Sequence, residues 1–524
     1  MIKLDNEEQL LDQNYRAQAI KFFESEKNVN RKVQSKERYD IYFDKIREKV
    51  LDNFKKEMLH GVNEAVINRI ANINICRKII EKKALVYKDG VVREVDQKIQ
   101  SALDAIVDIL NLNSLMALTN KYVELDNNTL LGILPYLNQI EDAYQLIAKV
   151  YPAYQYDVIV DARIETMPRA FIFSCLSEEK ILYASVGEAG VHPNENVKEG
   201  SRYSEDHKEY VWWSTSYHFT TDKNGEVIQG EEKGDGVNPI EEIPFVPFSK
   251  QEGNCFWKEG GDDIINYTIL INTLLTDLYY IAKFQGMGVF YLFGKGVPKS
   301  IDIGPSSCIT VDVEEGEPTP QIGFASSNPP IADHLSMIQS SLNYLMLSNN
   351  LDPGSMEGLN STQSAQSGIQ EIIQKAENMT DIEAQREMYR DQEPKVFEII
   401  FKWINYFKEM GRLSEEYADV PSIDYENVNL TIKFKNPQPY LSEKEKLDII
   451  QQRMDMGLDT MADAIKLDNP DLTEEEINAK EQKMQEEKRQ KMKQVIGQPM
   501  MDEEDDEDAD KPQGSQSDDS NQEA

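Results

Sequence analysis

The residue types that perform catalysis are present in this chain but fall into no recognised catalytic spacing. Its five histidines include no HExxH pair, and no GxSxG sequence occurs, so zinc-protease and serine-hydrolase chemistry lack their motifs. The segment closest to a phosphate-binding loop is Gly288–Gly296. Five residues instead of four separate Gly288 from Gly294, and a glycine instead of Ser or Thr follows Lys295. We interpret this segment as a strand that enters a glycine-rich turn.

Carboxylate pairs and cysteines also give no metal site. Asp262–Asp263 and Glu314–Glu315 are adjacent in sequence, whereas a two-metal centre needs acids that converge from separate elements. The four cysteines lie far apart without a CxxC pair, which argues against a zinc site and against a disulfide framework. They are Cys76, Cys175, Cys255 and Cys308. We therefore expect buried free thiols in a reducing cytoplasm, no metal, no cofactor and no catalytic residue.

The chain has a net charge of −37, and part of this charge is local. Residues 502–523 hold eleven acids and one lysine, which leaves about −27 on the rest of the chain. Such a surface is unsuited to tight DNA binding by phosphate neutralisation, because that requires clusters of Lys and Arg. The protein could still surround DNA without gripping it, and general solubility explains the charge equally well.

Two helical segments, 262–285 and 331–351, bracket an insert punctuated by glycine and proline. In the first segment, apolar side chains recur at steps of three and four residues, which places them on one helix face. They are Ile264, Tyr267, Ile271, Leu274, Leu278 and Ile281. The second segment repeats this spacing from Ile331 to Leu345. Periodicity alone is satisfied by two core helices of a large domain.

A membrane location is not expected for these helices or for the N-terminus. A helix of about 22 residues would match the thickness of a bilayer core. Asn266, Asn272 and Asp277 interrupt the first segment, however, and such groups are costly in lipid. The first residues, MIKLDNEEQLLDQ, contain no apolar stretch typical of a secretory signal.

The remaining sequence predicts an α+β fold that is predominantly helical. Helical patterns occupy 5–59, 63–87, 95–123 and 369–410, the last of which Pro394 should kink or break. The predicted strands are 130–137, 156–160, 169–175, 181–186, 289–293, 308–313 and 430–434. A hairpin is expected where residues 210–220 precede the Asn224–Gly225 turn. Capping boxes predict two C-terminal helices, and 497–524 has a disordered composition.

The order of these parts resembles that of the portal proteins of tailed bacteriophages. Four stretches carry the resemblance: RIANINICRKIIEKKALVYKDG, YPAYQYDVIVDARIETMPRAFIFSCL, NPIEEIPFVPFSKQEGNCFW with the helix DDIINYTILINTLLTDL, and LTIKFKNPQPYLSEKEKLDIIQQRMDMGLDTMADAIKLDNPDLTEEEI. They are similar to the family's early helix and first strand, its wing strands, its wing-to-stem passage and its crown entrance. The resemblance covers roughly residues 60–480 and leaves the first 55 residues and the acidic tail unmatched.

The resemblance implies a portal-like fold assembled as a ring, usually dodecameric. Its parts would be an N-terminal helical segment (1–60), a wing (61–261), a first stem helix (262–285), a clip (286–330), a second stem helix (331–351), a tunnel loop (352–368), a long kinked helix with a wing strand (369–439), crown helices (440–496) and a disordered acidic tail (497–524). The stem would line a DNA channel. The clip would dock the packaging motor and later the tail adaptor.

Two sets of candidate contact residues follow from the resemblance. In the tunnel loop, short neutral polar side chains would touch passing DNA without strong phosphate pairing. They are Ser355, Asn360, Ser361, Thr362, Gln363, Ser364 and Gln366. In the clip, the candidate docking charges are Lys295, Lys299, Glu314, Glu315 and Glu317. A plain exposed linker is the alternative for the first set, and a solvated loop with intersubunit contacts is the alternative for the second.

The implied partners are further copies of the chain, double-stranded DNA read without sequence specificity, the terminase large subunit, the major capsid and scaffolding proteins, and a head–tail adaptor, with no membrane. The protein would belong to the virion at the portal vertex and assemble in the host cytoplasm. Two other classes remain open. One is a structural scaffold or interaction protein that binds partners through the acidic tail, and the other is a nucleic-acid-processing enzyme that merely shares helices with portals.

Overall fold

Helices and open sheets are mixed along the chain, with more helix than strand, as the predicted α+β class requires. The computed structural model divides the chain into two units, Met1–Pro437 and Gln438–Ala524. In the first unit it describes residues 1–57, 70–138, 140–176, 208–228, 236–250, 253–258, 260–287, 289–293, 321–325, 331–351, 368–425 and 428–435. In the second unit it describes only isolated positions and short runs between 450 and 484. Most of the expected crown and all of the acidic tail therefore lie outside the described residues.

The elements of the first unit follow one another in a mixed order. In chain order they are β1 (Ile2–Leu4), α1 (Gln13–Phe23), α2 (Glu26–Tyr42), α3 (Ile46–Glu57), α4 (Ile75–Lys83), β2 (Val91–Glu94), α5 (Gln97–Ile109), α6 (Leu112–Asp126), β3 (Asn128–Asn138), β4 (Ala143–Pro152), β5 (Asp157–Asp161), β6 (Pro168–Leu176), β7 (Lys208–Ser214), β8 (His218–Thr221), β9 (Phe245–Ser249), α7 (Asp262–Met287), β10 (Val289–Phe293), β11 (Gln321–Ala325), α8 (Ile331–Ser348), α9 (Gly368–Glu409) and β12 (Thr431–Phe434). The predictions at 130–137, 156–160, 169–175, 289–293 and 430–434 are confirmed as β3, β5, β6, β10 and β12. Those at 181–186 and 308–313 lie outside the described residues.

A five-stranded sheet has the order β1-β5-β6-β7-β8. Its strands pair antiparallel except β1, an unexpected strand that runs parallel to β5. Successive side chains of a strand point to opposite faces, and here both faces are buried. Ile172 and Trp212 belong to a core cluster shared with α1, whereas Phe171 and Trp213 face the largest core. The continuous apolar runs of these strands follow from burial on both sides.

β7 and β8 form the expected hairpin, but the expected position of its turn is wrong. The strands are joined at Ser214–Tyr217, where the N–H of Ser214 donates to the carbonyl of Tyr217 at 2.8 Å. The Asn224–Gly225 turn follows β8 instead. Gly225 has a φ of +75°, and a Cβ there would lie 2.7 Å from the backbone nitrogen of Ala17. Glycine is needed at this turn because α1 approaches its backbone so closely.

A second sheet has the order β4-β3-β9, and α6 and α9 pack against it. The indole of Trp403 on α9 donates to the carbonyl of Ile133 at 3.0 Å. The rings of Phe407 and Tyr144 stack with their centroids 4.2 Å apart. β4 is not among the predicted strands, although it pairs with β3 along its full length. The largest core of the chain lies between this sheet, the five-stranded sheet and α9.

Two predicted helices differ in length from the observed ones. The pattern at 95–123 forms two helices, α5 and α6, because Asn111 between them has a left-handed backbone with a φ of +49°. An α-helix cannot continue through such a residue. The helix predicted at 63–87 is limited, in its described part, to α4, since residues 70–74 are not helical. The helical pattern at 5–59 is confirmed by α1, α2 and α3.

α9 continues through Pro394, so the helix does not break at this residue, and the kink expected there stays a prediction. An interior proline removes a backbone donor and crowds the preceding turn, which usually ends a helix. Here the side chains that follow it, among them Ile400 and Trp403, are fully buried in the largest core. The hydroxyl of Tyr425 also donates to the carbonyl of Pro394 at 2.8 Å. We attribute the continuity of the helix to this burial.

The cysteines follow the prediction only in part. Cys76 and Cys175 are buried thiols, whereas Cys255 is exposed. Cys255 lies on the segment 253–258, and its Sγ donates to Oε2 of Glu165 at 3.3 Å. Cys308 lies outside the described residues.

Within the described ranges, no single helix is long and apolar enough to cross a membrane. The bent pair α5 and α6, which meet at 62°, satisfies the length and composition criteria only when the two helices are taken together.

Candidate functional site at the helix pair

The two helical segments that bracket the insert form one antiparallel unit, the helix pair, which consists of α7 and α8. The start of α7 and the end of α8 lie together, and we call this the inner end of the pair. There, the amide of Asn349, just after α8, donates to the carboxylate of Asp263 at 3.0 Å. At its outer end the chain passes into β10 and β11, which pair antiparallel with Val289 opposite Ala325. The predicted helices 262–285 and 331–351 are thus confirmed as helices and neighbours.

Polar side chains in the middle of α7 hold a neighbouring segment of backbone. Asn272 is fully buried, accepts from the N–H of Ile73 at 2.7 Å and donates to the carbonyl of Ile73 at 2.9 Å. Thr276 accepts from the N–H of Ala71 at 3.0 Å. Residues 70–74 lack helical hydrogen bonds, so α7 supplies acceptors for the backbone N–H groups of Ala71 and Ile73. The polar groups that argued against a membrane span therefore have a structural role.

The inner end of α7 is attached to the C-terminal end of α6 through Arg38 of α2. The guanidinium of Arg38 donates to Asp262 at 2.6 Å and to Asp126 at 3.1 Å. The hydroxyl of Ser35 also donates to Asp126. Burial raises the pKa of Asp126 to about 6, although the bonds from Ser35 and Arg38 act in the opposite direction. Asn127 extends the attachment by donating to the carbonyl of Gly260 at 2.8 Å.

The inner end of α8 is attached to the same turn of α6 by a second cation. Lys83 of α4 donates to the side-chain oxygen of Asn349 at 3.2 Å, and its ammonium lies 3.6 Å from the carboxylate of Glu124. Both helices of the pair thus connect, through one cation each, to carboxylates of the last turn of α6. If the inner end of α7 or of α8 moves, the contacts that join it to the last turn of α6 have to change.

Much of the apolar surface of the helix pair is uncovered in the single chain. In α8, only Leu345 and Met346 are buried. The exposed apolar side chains are Leu335 (45 %), Met337 (51 %), Tyr344 (66 %) and Leu347 (60 %) of α8, and Leu270 (41 %) and Tyr279 (49 %) of α7. Clustered exposed apolar side chains of this size mark interaction surfaces. The single chain therefore leaves unburied a surface that a partner would cover.

A cleft of about 670 Å³ lies between α2 and the segment that leads into α7. Its buried carboxylate Asp157 is paired with Arg31 at 3.1 Å and with Lys32. The guanidinium of Arg31 also stacks over Trp257 at 3.7 Å. Within the described part of the chain, no group of three or more His, Cys, Asp or Glu side chains could hold a metal ion. Arg31, Lys32 and Asp157 of the cleft thus bind one another, which is typical of a structural network.

The structure does not place the contact residues that the sequence suggested. The candidate tunnel-loop residues 355–366 and the candidate docking charges at 295, 299, 314, 315 and 317 lie outside the described residues. The anchoring residues Arg38, Lys83, Glu124 and Asp126 were not singled out from the sequence. They are far apart along the chain and belong to no motif, so no sequence signal could have joined them.

Comparisons with known proteins do not establish a family for this chain. No family model matches the chain, and no curated protein matches it. Among solved structures, one similar chain comes from the neck of an empty GTA particle computed with C6 symmetry. It is 10 % identical, with a TM-score of 0.35, over 75 % of this chain and 90 % of that chain. A likeness of this size does not establish a shared fold.

Proposed function

We propose that this chain is a non-enzymatic structural subunit, a portal protein that forms a ring at one capsid vertex through which genomic DNA is packaged and ejected. The observation that carries the proposal is the helix pair, whose inner end is firmly anchored and whose apolar surface is uncovered. It stands in the chain where the resemblance to portal proteins places the two stem helices, around the insert that would form the clip.

The uncovered surface supports association with further copies of the chain. Tyr344 and Leu347 are more than half exposed in the single chain, and burying such side chains stabilises an interface by about 25 cal/mol per Å² of apolar area. Among the described strands, β10 and β11 pair only with each other. A two-stranded ribbon is marginally stable alone. Neighbouring helix pairs would cover both features, and a repeated head-to-tail contact that closes produces a ring.

The DNA contact and the other partners rest on the sequence. The polar segment 352–367 follows the helix pair directly, and its short neutral side chains suit brief contact with a sliding duplex. The strongly negative chain disfavours tight phosphate binding, which is compatible with a channel that releases DNA. Terminase, capsid and scaffolding proteins, and a head–tail adaptor would bind the clip and the outer surfaces. The mature protein would then be part of the virion after assembly in the host cytoplasm.

The decisive experiment is to measure the mass of the particles that the purified full-length chain forms and to image them. Mass photometry should show a species of about twelve times 60.1 kDa, and negative-stain microscopy should show rings with a central opening. ATPase and nuclease assays on the same preparation should be negative. A chain that stays monomeric across a wide range of protein and salt concentrations would exclude the ring. Turnover of ATP or DNA would favour the enzyme class instead.

A further inference from the structure

Glu124, in the last turn of α6, is a buried carboxylate with unused hydrogen-bonding capacity. Its side chain is 1 % exposed, and neither carboxylate oxygen has a hydrogen-bond donor within reach among the described residues. Two ammonium groups lie just too far away. Lys83 of α4 and Lys250, which follows β9, are each 3.6 Å from Oε2. A buried carboxylate is strongly stabilised by charge-assisted bonds, so this arrangement gains energy if either lysine moves closer.

Lys83 has a second acceptor close by, the side chain of Asn349. Its ammonium donates to Oδ1 of Asn349 at 3.2 Å, only slightly closer than its distance to Glu124. A displacement of about half an ångström toward Glu124 would form a charge-assisted bond to the carboxylate, and a displacement away from Asn349 would break the already long bond to this neutral amide. The side chain is only 15 % exposed, so water competes little for its donors. Lys83 therefore lies between two acceptors on two different elements.

The bond to Asn349 connects this choice to the helix pair. The amide nitrogen of Asn349 donates to Asp263 in the first turn of α7 and to the carbonyl of Leu345, each at 3.0 Å. Asn349 thus joins the inner ends of α7 and α8, and Lys83 fixes this junction to α4. By contrast, Arg38 bonds to two carboxylates at once, to Asp126 at 3.1 Å and to Asp262 at 2.6 Å. The attachment of α7 to α6 through Arg38 is fixed, whereas the attachment of α8 to α6 through Lys83 can change.

We propose that Lys83 is a switch that exchanges between Asn349 and Glu124 and thereby holds or releases the inner end of α8. Lys250 is the third member, because its positive charge lies 3.6 Å from the same carboxylate oxygen, where it repels Lys83 and weakens the attraction of Glu124 for it. The exchange itself is independent of the proposed function. Its significance rests on that function, since α8 leads in sequence to residues 352–367, where we expect the chain to meet DNA.

The switch predicts opposite effects for two substitutions around one carboxylate. Glu124→Gln removes the charge that attracts Lys83, so Lys83 should remain on Asn349 and the inner end of α8 should be better protected. Lys250→Met removes the competing cation, so Lys83 should move toward Glu124 and release Asn349. Hydrogen exchange followed by mass spectrometry on the full-length chain should show amides of residues 345–351 exchanging roughly fivefold more slowly in the first variant and roughly fivefold faster in the second.

Lys83→Met provides the control background. With Lys83 absent, neither Glu124→Gln nor Lys250→Met should alter exchange at 345–351. Simple destabilisation of the fold would accelerate exchange in both variants, and this common sign would overturn the proposal. Persistence of the two effects without Lys83 would also overturn it. If Glu124→Gln does not fold, Lys250→Met with and without Lys83 still decides the question, because Lys250 is one-third exposed. Absence of rings in the same preparation would refute the proposed function and leave the exchange result intact.

Discussion

The guanidinium of Arg93 donates to the carboxylate of Glu393 at 2.5 Å, and both side chains are almost completely buried, at 5 % and 1 % exposed. The hydroxyl of Tyr87 donates to the other oxygen of Glu393 at 2.6 Å. Arg93 lies on β2, and Glu393 immediately precedes Pro394 in α9. This ion pair therefore attaches the small β2–β12 sheet to the long helix at the point where a proline would otherwise weaken it.

We expect Glu393→Gln to destabilise the protein by about 3–5 kcal/mol, because it leaves the charge of Arg93 buried without a counter-ion. Urea unfolding followed by tryptophan fluorescence measures the effect, since Trp403 lies further along the same helix. Glu94→Gln is the matched control. Glu94 pairs with Lys433 at the surface, both side chains are more than half exposed, and its loss should cost less than about 1 kcal/mol. Equal losses in the two variants would contradict this account.

Asn272→Leu should release residues 70–74 from α7. The substitution removes the acceptor of the Ile73 N–H, whereas the carbonyl of Ile73 still accepts from the N–H of Ile75 at 3.0 Å. Because Ile73 is 50 % exposed, water replaces part of the lost bond, and we expect a loss of about 1 kcal/mol. Hydrogen exchange of the amide of Ile73 should accelerate, and the urea midpoint should fall. Asn266→Leu places the same side chain at an exposed position of the same helix and should leave both measurements unchanged. Unaltered protection of Ile73 in Asn272→Leu would show that the bonds seen here do not hold this segment.

The type of most elements could be predicted from the sequence, whereas their limits and long-range contacts could not. The three- and four-residue spacing from Ile264 to Ile281 correctly predicted a helix, because periodicity is a local property. The continuity of α9 through Pro394 depends on burial against distant strands, which outweighs the local preference of proline. The partners of Asn272 lie about 200 positions away, and nothing in its neighbourhood indicates them. The contacts of Arg38 and Lys83 that anchor the helix pair could not be predicted for the same reason.

Leu347→Asp and Tyr344→Asp should prevent assembly without unfolding the single chain. Both side chains are at least 60 % exposed in the monomer, so their replacement should change the free energy of unfolding by no more than about 0.5 kcal/mol. A buried, unpaired carboxylate at an intersubunit contact is strongly unfavourable. Mass photometry should therefore show the loss of large species while the circular dichroism spectrum is retained. Ile164→Asp, at a 54 % exposed position in the β5–β6 connection, tests whether any new charge has this effect.

Asp126 should make stability depend on pH in a direction opposite to that of most carboxylates. Its folded pKa, about 6, is raised above the value of 3.8 for an unperturbed aspartate, so the folded state holds the proton more tightly than the unfolded state does. The stabilisation is complete below the unfolded pKa and is lost as the pH rises through about 6. From pH 5 to pH 7.5 the loss amounts to about 1.4 kcal/mol.

Asp126→Asn should remove this dependence while retaining an acceptor for Ser35, and Arg38 keeps its bonds to Asp262. The variant should therefore gain about 1.4 kcal/mol relative to the natural chain between pH 5 and pH 7.5, measured by urea unfolding at each pH. Asp161→Asn is the control, because the pKa of Asp161 is shifted in the opposite direction from that of Asp126. Hydrogen bonds from the backbone of Arg163 and the side chain of Arg169 lower the pKa of Asp161 to about 2, so its contribution is lost only as the pH falls through that value. Its difference from the natural chain should stay constant above pH 5, and a constant difference for Asp126→Asn as well would show that the Asp126 carboxylate is already ionised at pH 5.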